Sequence, residues 1–378
     1  MILSRLSLVP AILLVLIILS CGQDSIFFDI SNEPSPKDPL ITGNPTSLVL
    51  AKNELFVGSR MGNRIFRYGG ESLQWRSIPA PRGSIGNLAT DGEYLYALVF
   101  PGGNPLAPTV IQRFNTATNV WDAEFTSQYS VQTIYGVNGR IFAGASPAPG
   151  QQNFLILSLD RSELRVVKEN TSLLRGAASD SAGNIYLATA GSGVFRASNG
   201  TVEENPVSGT ENANLAGIIG TSGSVVAVSS NGTVYFLNSP GVFNSFTTGF
   251  IFTGAMSIWA DRNNQWSDSL LLLGVRGRGS SISNGYREVV LDREGFPTIT
   301  IRIPGDESPS SVSNRARYSA SIGQHPVEAI LQIPDISRGG PLDYNAFISD
   351  PDWEPPIFAG TSRSGLWSYR NGQWNAEE

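Results

Sequence analysis

His325 and Cys21 are the single histidine and the single cysteine of the chain. A zinc centre assembled from several such side chains is therefore excluded. A Ser-His-Asp relay would have to run through His325. That residue precedes Pro326 in a polar stretch and reads as an ordinary surface residue. Carboxylates gather in one region, as Asp335, Asp343, Asp350, Asp352 and Glu354. A hard cation such as Ca²⁺ takes roughly six to eight oxygens, and such a region is rich in them. It lacks the spaced Asp/Asn/Gly pattern of a calcium loop and reads as a solvated loop. No metal and no cofactor are expected.

Four arginines are more suggestive. Arg60 stands in GSRMGN, Arg276 and Arg278 in GVRGRG, and Arg363 in GTSRSG, each a glycine-rich turn of the same kind. A guanidinium is a planar fork that fits carboxylate or phosphate. Brought together, such groups would take an acidic sugar, an acidic peptide or a lipid head group. The plainer role for each is to solvate its turn or cap a neighbouring Asp. Which role applies depends on the elements that carry them.

Those elements repeat. An apolar strand, a Gly/Asn/Asp turn, a second strand ending in Gly or Ala, another turn and a third strand recur along the chain. The motif is clear in LVLAKNELFVGSRMGNRIFRY, in GAASDSAGNIYLATAGSGVFRASNGTV and in IFAGTSRSGLWSYRNGQW. Aligned on the second strand, the copies place Phe56, Tyr96, Phe142, Tyr186, Val226, Leu272 and Phe358 in register, with separations of 40, 46, 44, 40, 46 and 86 residues. Repeats of about 40–50 residues made of several short strands are the mark of propeller blades. The doubled last spacing is read as insertions, with residues 305–325 linking two blades and a long loop over 334–355. The expected fold is all-β: a β-propeller of seven four-stranded blades over 44–378, with eight or six as alternatives. Arg60, Arg276, Arg278 and Arg363 then fall in turns between second and third strands. These turns share a face with the blade-to-blade connections, and the three blades concerned are neighbours around a closed ring. Gln373 to Glu378 leaves little room for an outer strand in the last blade. Residues 26–30, SIFFDI less its serine, are expected to supply or extend it.

Composition agrees with a propeller. Only 15% of residues are charged, against about a quarter in ordinary domains, and Gly reaches 40. Tight turns between many strands use such a composition. The net charge is −6 without a basic run, which argues against nucleic acid as a partner.

At the start, Arg5 precedes an apolar stretch from Leu6 to Leu19, and Ser20-Cys21 ends it. A short basic start before an apolar stretch reads as a secretory signal. The stretch falls short of the roughly 20 residues that span a bilayer. Ile18-Leu19-Ser20-Cys21 resembles a bacterial lipobox, although Leu19 replaces the usual small residue. The resemblance implies removal of 1–20 and lipidation of Cys21, with 22–43 as a tether to the domain. Cys21 would then fix the chain to a bacterial membrane, inner or outer, with the domain outside the cytoplasm. A secreted domain with no second cysteine has no disulfide and must be held by its core.

The last copy, GTSRSGLWSYRNGQW, resembles the propeller repeats of two-component regulator sensors, and DSAGNIYLATAGSGVFR is similar to those and to NHL-type and YVTN-type repeats. WD40 and kelch signatures are not evident. Asp180-Ser181-Ala182-Gly183 is the nearest fragment to a sialidase Asp box and lacks its Trp. The resemblance implies fold, because propellers host unrelated functions. The expected role is a monomeric, membrane-anchored, non-catalytic envelope domain that binds a protein or glycan partner or scaffolds an assembly. The alternative is a glycan-processing enzyme. Trp353, Trp367 and Trp374 suit sugar stacking, but blade cores also use tryptophan, and core packing is the expectation.

Overall fold

The computed structural model describes residues 41–377 apart from 42, 60–62, 70–73, 104–108, 149–150, 152, 161–162, 199, 240, 260–269, 278–283, 293, 303–321, 323–324, 334–355 and 371–372. The chain divides into 1–38 and 39–378, and every described residue belongs to the second unit.

Seven antiparallel sheets follow one another along the chain, each a meander of four consecutive strands. Blades 1 to 7 span 45–77, 84–126, 130–171, 174–202, 215–247, 251–302 and 327–376. First strands of successive blades touch in order, and that of blade 7 touches that of blade 1. The ring is closed, and the protein is a seven-bladed β-propeller. All seven residues used to align the repeats lie in the second strands of their blades. The doubled final spacing comes from insertions, 303–326 before blade 7 and 333–356 between its first two strands.

The second strands explain the apolar runs. Ile185–Thr189, Val225–Ser229 and Ile357–Thr361 are buried at every position. They run through the middle of a sheet that is covered on both faces by neighbouring blades. Runs such as VVAVS therefore carry no polar alternation. Fourth strands lie at the rim, and Gln74–Ser77 and Val120–Thr126 are largely exposed. Between blades 6 and 7, Trp259, Tyr286, Tyr369 and Trp374 form one aromatic cluster. The Trp374 ring lies 5.7 Å from that of Tyr286 and 5.5 Å from that of Tyr369, both steeply inclined. Trp374 is thus core, and Trp367 packs against the same cluster. Trp353 lies outside the described residues.

Turn chemistry is local. Asn138 and Gly139, at φ 48° and 72°, join the paired residues Val137 and Arg140 in a two-residue hairpin. Two positive φ values suit Asn-Gly and match the twist of the flanking strands. In blade 2 the Asp91 carboxylate accepts from the backbone N–H of Tyr94 at 2.7 Å and from the Tyr96 hydroxyl at 2.8 Å. In blade 4 Asp180 accepts from the Asn184 N–H at 2.8 Å and from the Tyr186 hydroxyl at 3.2 Å. The fragment closest to an Asp box thus closes a turn.

Blade 7 takes its fourth strand from its own sequence, Gln373–Ala376, so four residues suffice where little room was expected. Residues 26–30, expected to supply or extend it, lie outside the described residues. Side chains close the seam between blades 7 and 1. Ile41 is fully buried among Leu55, Phe66, Phe358 and Leu366. Its carbonyl accepts from the Leu366 N–H at 3.2 Å. Glu377, also buried, accepts from the Trp75 indole N–H of blade 1 at 2.5 Å and from the Ser368 hydroxyl of blade 7.

Candidate functional site

The first strands of all seven blades wall a central channel of about 470 Å³. In every blade the pairing of first with second strand slips near the start of the first strand. A β-bulge leaves an extra residue out of the ladder and re-aims its side chain. Here the residues left out are Thr46, Gln132, Arg175, Ala216 and Glu328 in five blades. The slips in blades 2 and 6 fall at Gly86–Asn87 and at Thr253–Ala255. All of them line the channel.

Side chains along these strands, Asn87 and Thr253 of the bulges among them, tie blade to blade. Asn87 donates to the Ile134 carbonyl at 2.6 Å and accepts from the Ile134 N–H at 3.2 Å. Thr133 donates to the Leu174 carbonyl at 2.9 Å, and Thr253 to the Val327 carbonyl at 2.5 Å. Ser47 accepts from the Leu88 N–H at 3.1 Å. The channel wall is therefore rigid, with its polar groups mostly engaged in holding the ring. Glycine permits the closest approach. A Cβ on Gly136 would meet the Thr90 carbonyl oxygen at 1.7 Å.

The arginines expected at the rim fall into two groups. Arg60 and Arg278, like Cys21, lie outside the described residues. Arg276 ends the second strand of blade 6 and donates to the Glu328 carboxylate at 2.8 Å. Its side chain is 59% exposed, and that of Glu328 is 23% exposed, so solvent screens the pair. Glu328 is the bulge residue of blade 7, so this pair bridges the rim and the channel. Arg363 is exposed in the turn between second and third strands of blade 7. Both arginines flank the lead-in to that blade. The His325 carbonyl accepts from the Gly285 N–H of blade 6, and the Pro326 carbonyl from the Ser362 N–H beside Arg363.

His325 is half-buried there. Burial, and secondarily the charge of Arg363, hold its imidazole below the ordinary histidine range. The unfolded chain therefore binds this proton at higher pH than the folded chain. His325 thus erodes stability as pH falls from about 6.5, the ordinary histidine value, through the lower folded value. With only one histidine in the chain, NMR follows it without assignment. Its ring resonance is expected to titrate below about 6.5 and to shift upward in Arg363→Ala. A midpoint unmoved by that substitution would show that burial alone sets it.

Sequence reasoning missed Arg175. It is the exposed bulge residue of blade 4, and it forms no hydrogen bond or ion pair with the described residues. Tyr135, on the adjoining wall, has its hydroxyl pushed up to about 12 by burial, against the opposing charge of Arg175. The phenol therefore stays protonated and remains a donor. The only signal in the sequence is an arginine in SLLRGAAS where other copies put Thr, Gly, Asn, Gln, Ala or Glu. Among the described residues no group of three or more His, Cys, Asp or Glu side chains is placed to hold a metal ion. No helix among them is long and apolar enough to cross a membrane.

No protein-family model matches the chain, and no curated protein matches it. Solved structures do. The WD40 β-propeller domain of Doa1 superposes with a TM-score of 0.55 at 12% identity, over 89% of this chain and 95% of that one. A chain of the mitotic checkpoint complex gives 0.55 at 10% identity, over 90% and 97%. The Cps50 (Swd1) β-propeller domain of Myceliophteria thermophila gives 0.52 at 9% identity, over 89% and 99%. At such identities the likeness is one of fold alone, a closed ring of propeller blades.

Proposed function

We propose that this protein is a non-catalytic binding propeller of the bacterial cell envelope, held to a membrane through a lipid on Cys21. It presents the channel mouth to a protein or acidic glycan partner. One observation carries the reading. Every blade breaks its ladder at the same level to turn a side chain into the channel, and Arg276 pairs with one of those residues, Glu328. A ring held by side-chain bonds between blades offers a preorganised surface, which lowers the entropy lost on binding. The solved propellers that it resembles include one in the mitotic checkpoint complex, a multi-protein assembly, so the fold is compatible with such a role.

The test is capture from native envelope extract, with the intact chain beside an Arg276→Ala/Arg363→Ala chain. A partner held by the intact chain and lost by the variant is the expected result. Equal capture by both would move the working face elsewhere on the ring. Turnover of an envelope glycan by the purified chain would overturn the non-catalytic reading. Release of the chain from membranes by Cys21→Ser tests the anchor separately.

A further inference from the structure

Of the seven channel-facing bulges, only two carry a charge, Arg175 in blade 4 and Glu328 in blade 7. Glu328 is answered by Arg276. Arg175 is not answered, since no described residue pairs with it. An unpaired guanidinium inside a walled polar channel is a ready anion contact. The Thr133–Leu174 hydrogen bond fixes the inner strands of blades 3 and 4 in register and sets Arg175 and Tyr135 on adjoining walls. The Tyr135 ring packs against the core between those blades. Its hydroxyl has no hydrogen-bond partner among the described residues. Two unused donors of different kinds thus share one compartment, beside side chains such as Thr133 that are spent on the ring itself. A cavity near 470 Å³ is within the range of small-ligand sites.

We propose that the channel is a receptor for a small carboxylate, bound by the Arg175 guanidinium with the Tyr135 hydroxyl as second donor. This rests on the channel mouth being the working face, and it adds the class of group received there. The guanidinium takes both carboxylate oxygens through its fork, and the phenol donates to one of them. The neighbouring Gln132 side chain, which donates to Ser146 at 3.3 Å, borders the same space and orients the rest of a polar ligand. A phosphate would also meet the guanidinium, so carboxylate and phosphate probes are compared directly.

The experiment is calorimetric titration of the full chain, in detergent, with glucuronate, succinate, inorganic phosphate and glucose. Glucuronate and succinate should bind saturably, and glucose, the neutral match for glucuronate, should not. Arg175→Ala should weaken carboxylate binding by about tenfold or more, the scale of a lost charge-assisted hydrogen bond. Arg175→Lys should recover part of it, since charge returns without the fork. Tyr135→Phe keeps the ring in its core and should produce a smaller loss. Thermal melting guards against misfolding, and Arg175→Ala should melt as the unmodified chain does because the side chain is exposed. Failure of both carboxylates to bind at millimolar concentration overturns the proposal, as does equal binding by Arg175→Ala. Phosphate binding more tightly than either acid overturns the carboxylate assignment. Capture of an envelope partner that persists when small acids fail would leave the binding propeller standing and remove this site.

Discussion

Trp374→Ala is expected to lower stability by about 3–5 kcal/mol, the range for removing a buried large aromatic side chain. Trp374 is 1% exposed and wedges the fourth strand of blade 7 against blade 6. It touches Tyr286 across the blade boundary and Tyr369 within its own sheet. Trp259 completes the cluster, with its ring 5.6 Å from that of Tyr369. Alanine would leave a void that neighbours from two separate sheets cannot fill together. Trp374→Phe is the informative companion. It keeps an aromatic ring and removes an indole N–H that has no hydrogen-bond partner among the described residues. The phenylalanine variant should therefore retain most of the stability lost by alanine. Denaturant unfolding followed by far-ultraviolet circular dichroism measures both, and equal losses would show that ring volume is not what holds these blades together.

Gly136→Ala is expected to destabilise by about 3 kcal/mol or more, at the upper end of overpacking effects. The added carbon would sit 1.7 Å from the Thr90 carbonyl oxygen, which belongs to the inner strand of the preceding blade. Backbone stands on both sides of the clash, so no side chain can swing away. Gly183 is a matched control. Its φ of +83° is left-handed, yet nothing lies within 4 Å of the added carbon. Gly183→Ala should lose only the strain of that conformation, about 1–2 kcal/mol. The pair separates lack of room from lack of conformational freedom. A Gly136→Ala chain as stable as Gly183→Ala would mean that the inner strands of blades 2 and 3 can part without loss.

The blades were legible because their second strands are covered on both faces. Continuous apolar runs such as LYALV and LLLLGV mark such strands wherever they occur, and one run per blade suffices to count the ring. The insertions around blade 7 were legible for the same reason, since Val327–Gln332 kept a strand pattern between two polar stretches. Less of the site could be read. A bulge shifts pairing by one residue and leaves no compositional trace, so Arg175 in SLLRGAAS looks like any outward polar position. Arg276 and Arg363 were found through glycine-rich turns, which are visible. The carboxylate that answers Arg276 comes from the next blade, 52 residues onward, and no local pattern announces it. Trp374 shows the opposite case. An aromatic near the chain end suits either sugar stacking or core packing, and only its burial decides between them.

The repeated bulge also bears on how such a ring changes over time. The residue turned into the channel stands outside the ladder of its own blade, while the neighbouring position, exemplified by Ser47 and Thr133, bonds one blade to the next. Selection can therefore act on the two positions separately. Thr46, Gln132, Arg175, Ala216 and Glu328 already differ in size, polarity and sign within one molecule. A substitution at Thr46, Gln132, Arg175 or Ala216 changes the lining of the channel and leaves the bonds between blades intact. The lining amounts to an alphabet of variable letters on a fixed frame, so the inner surface of such a ring can be rewritten one residue at a time without passing through an unfolded ancestor.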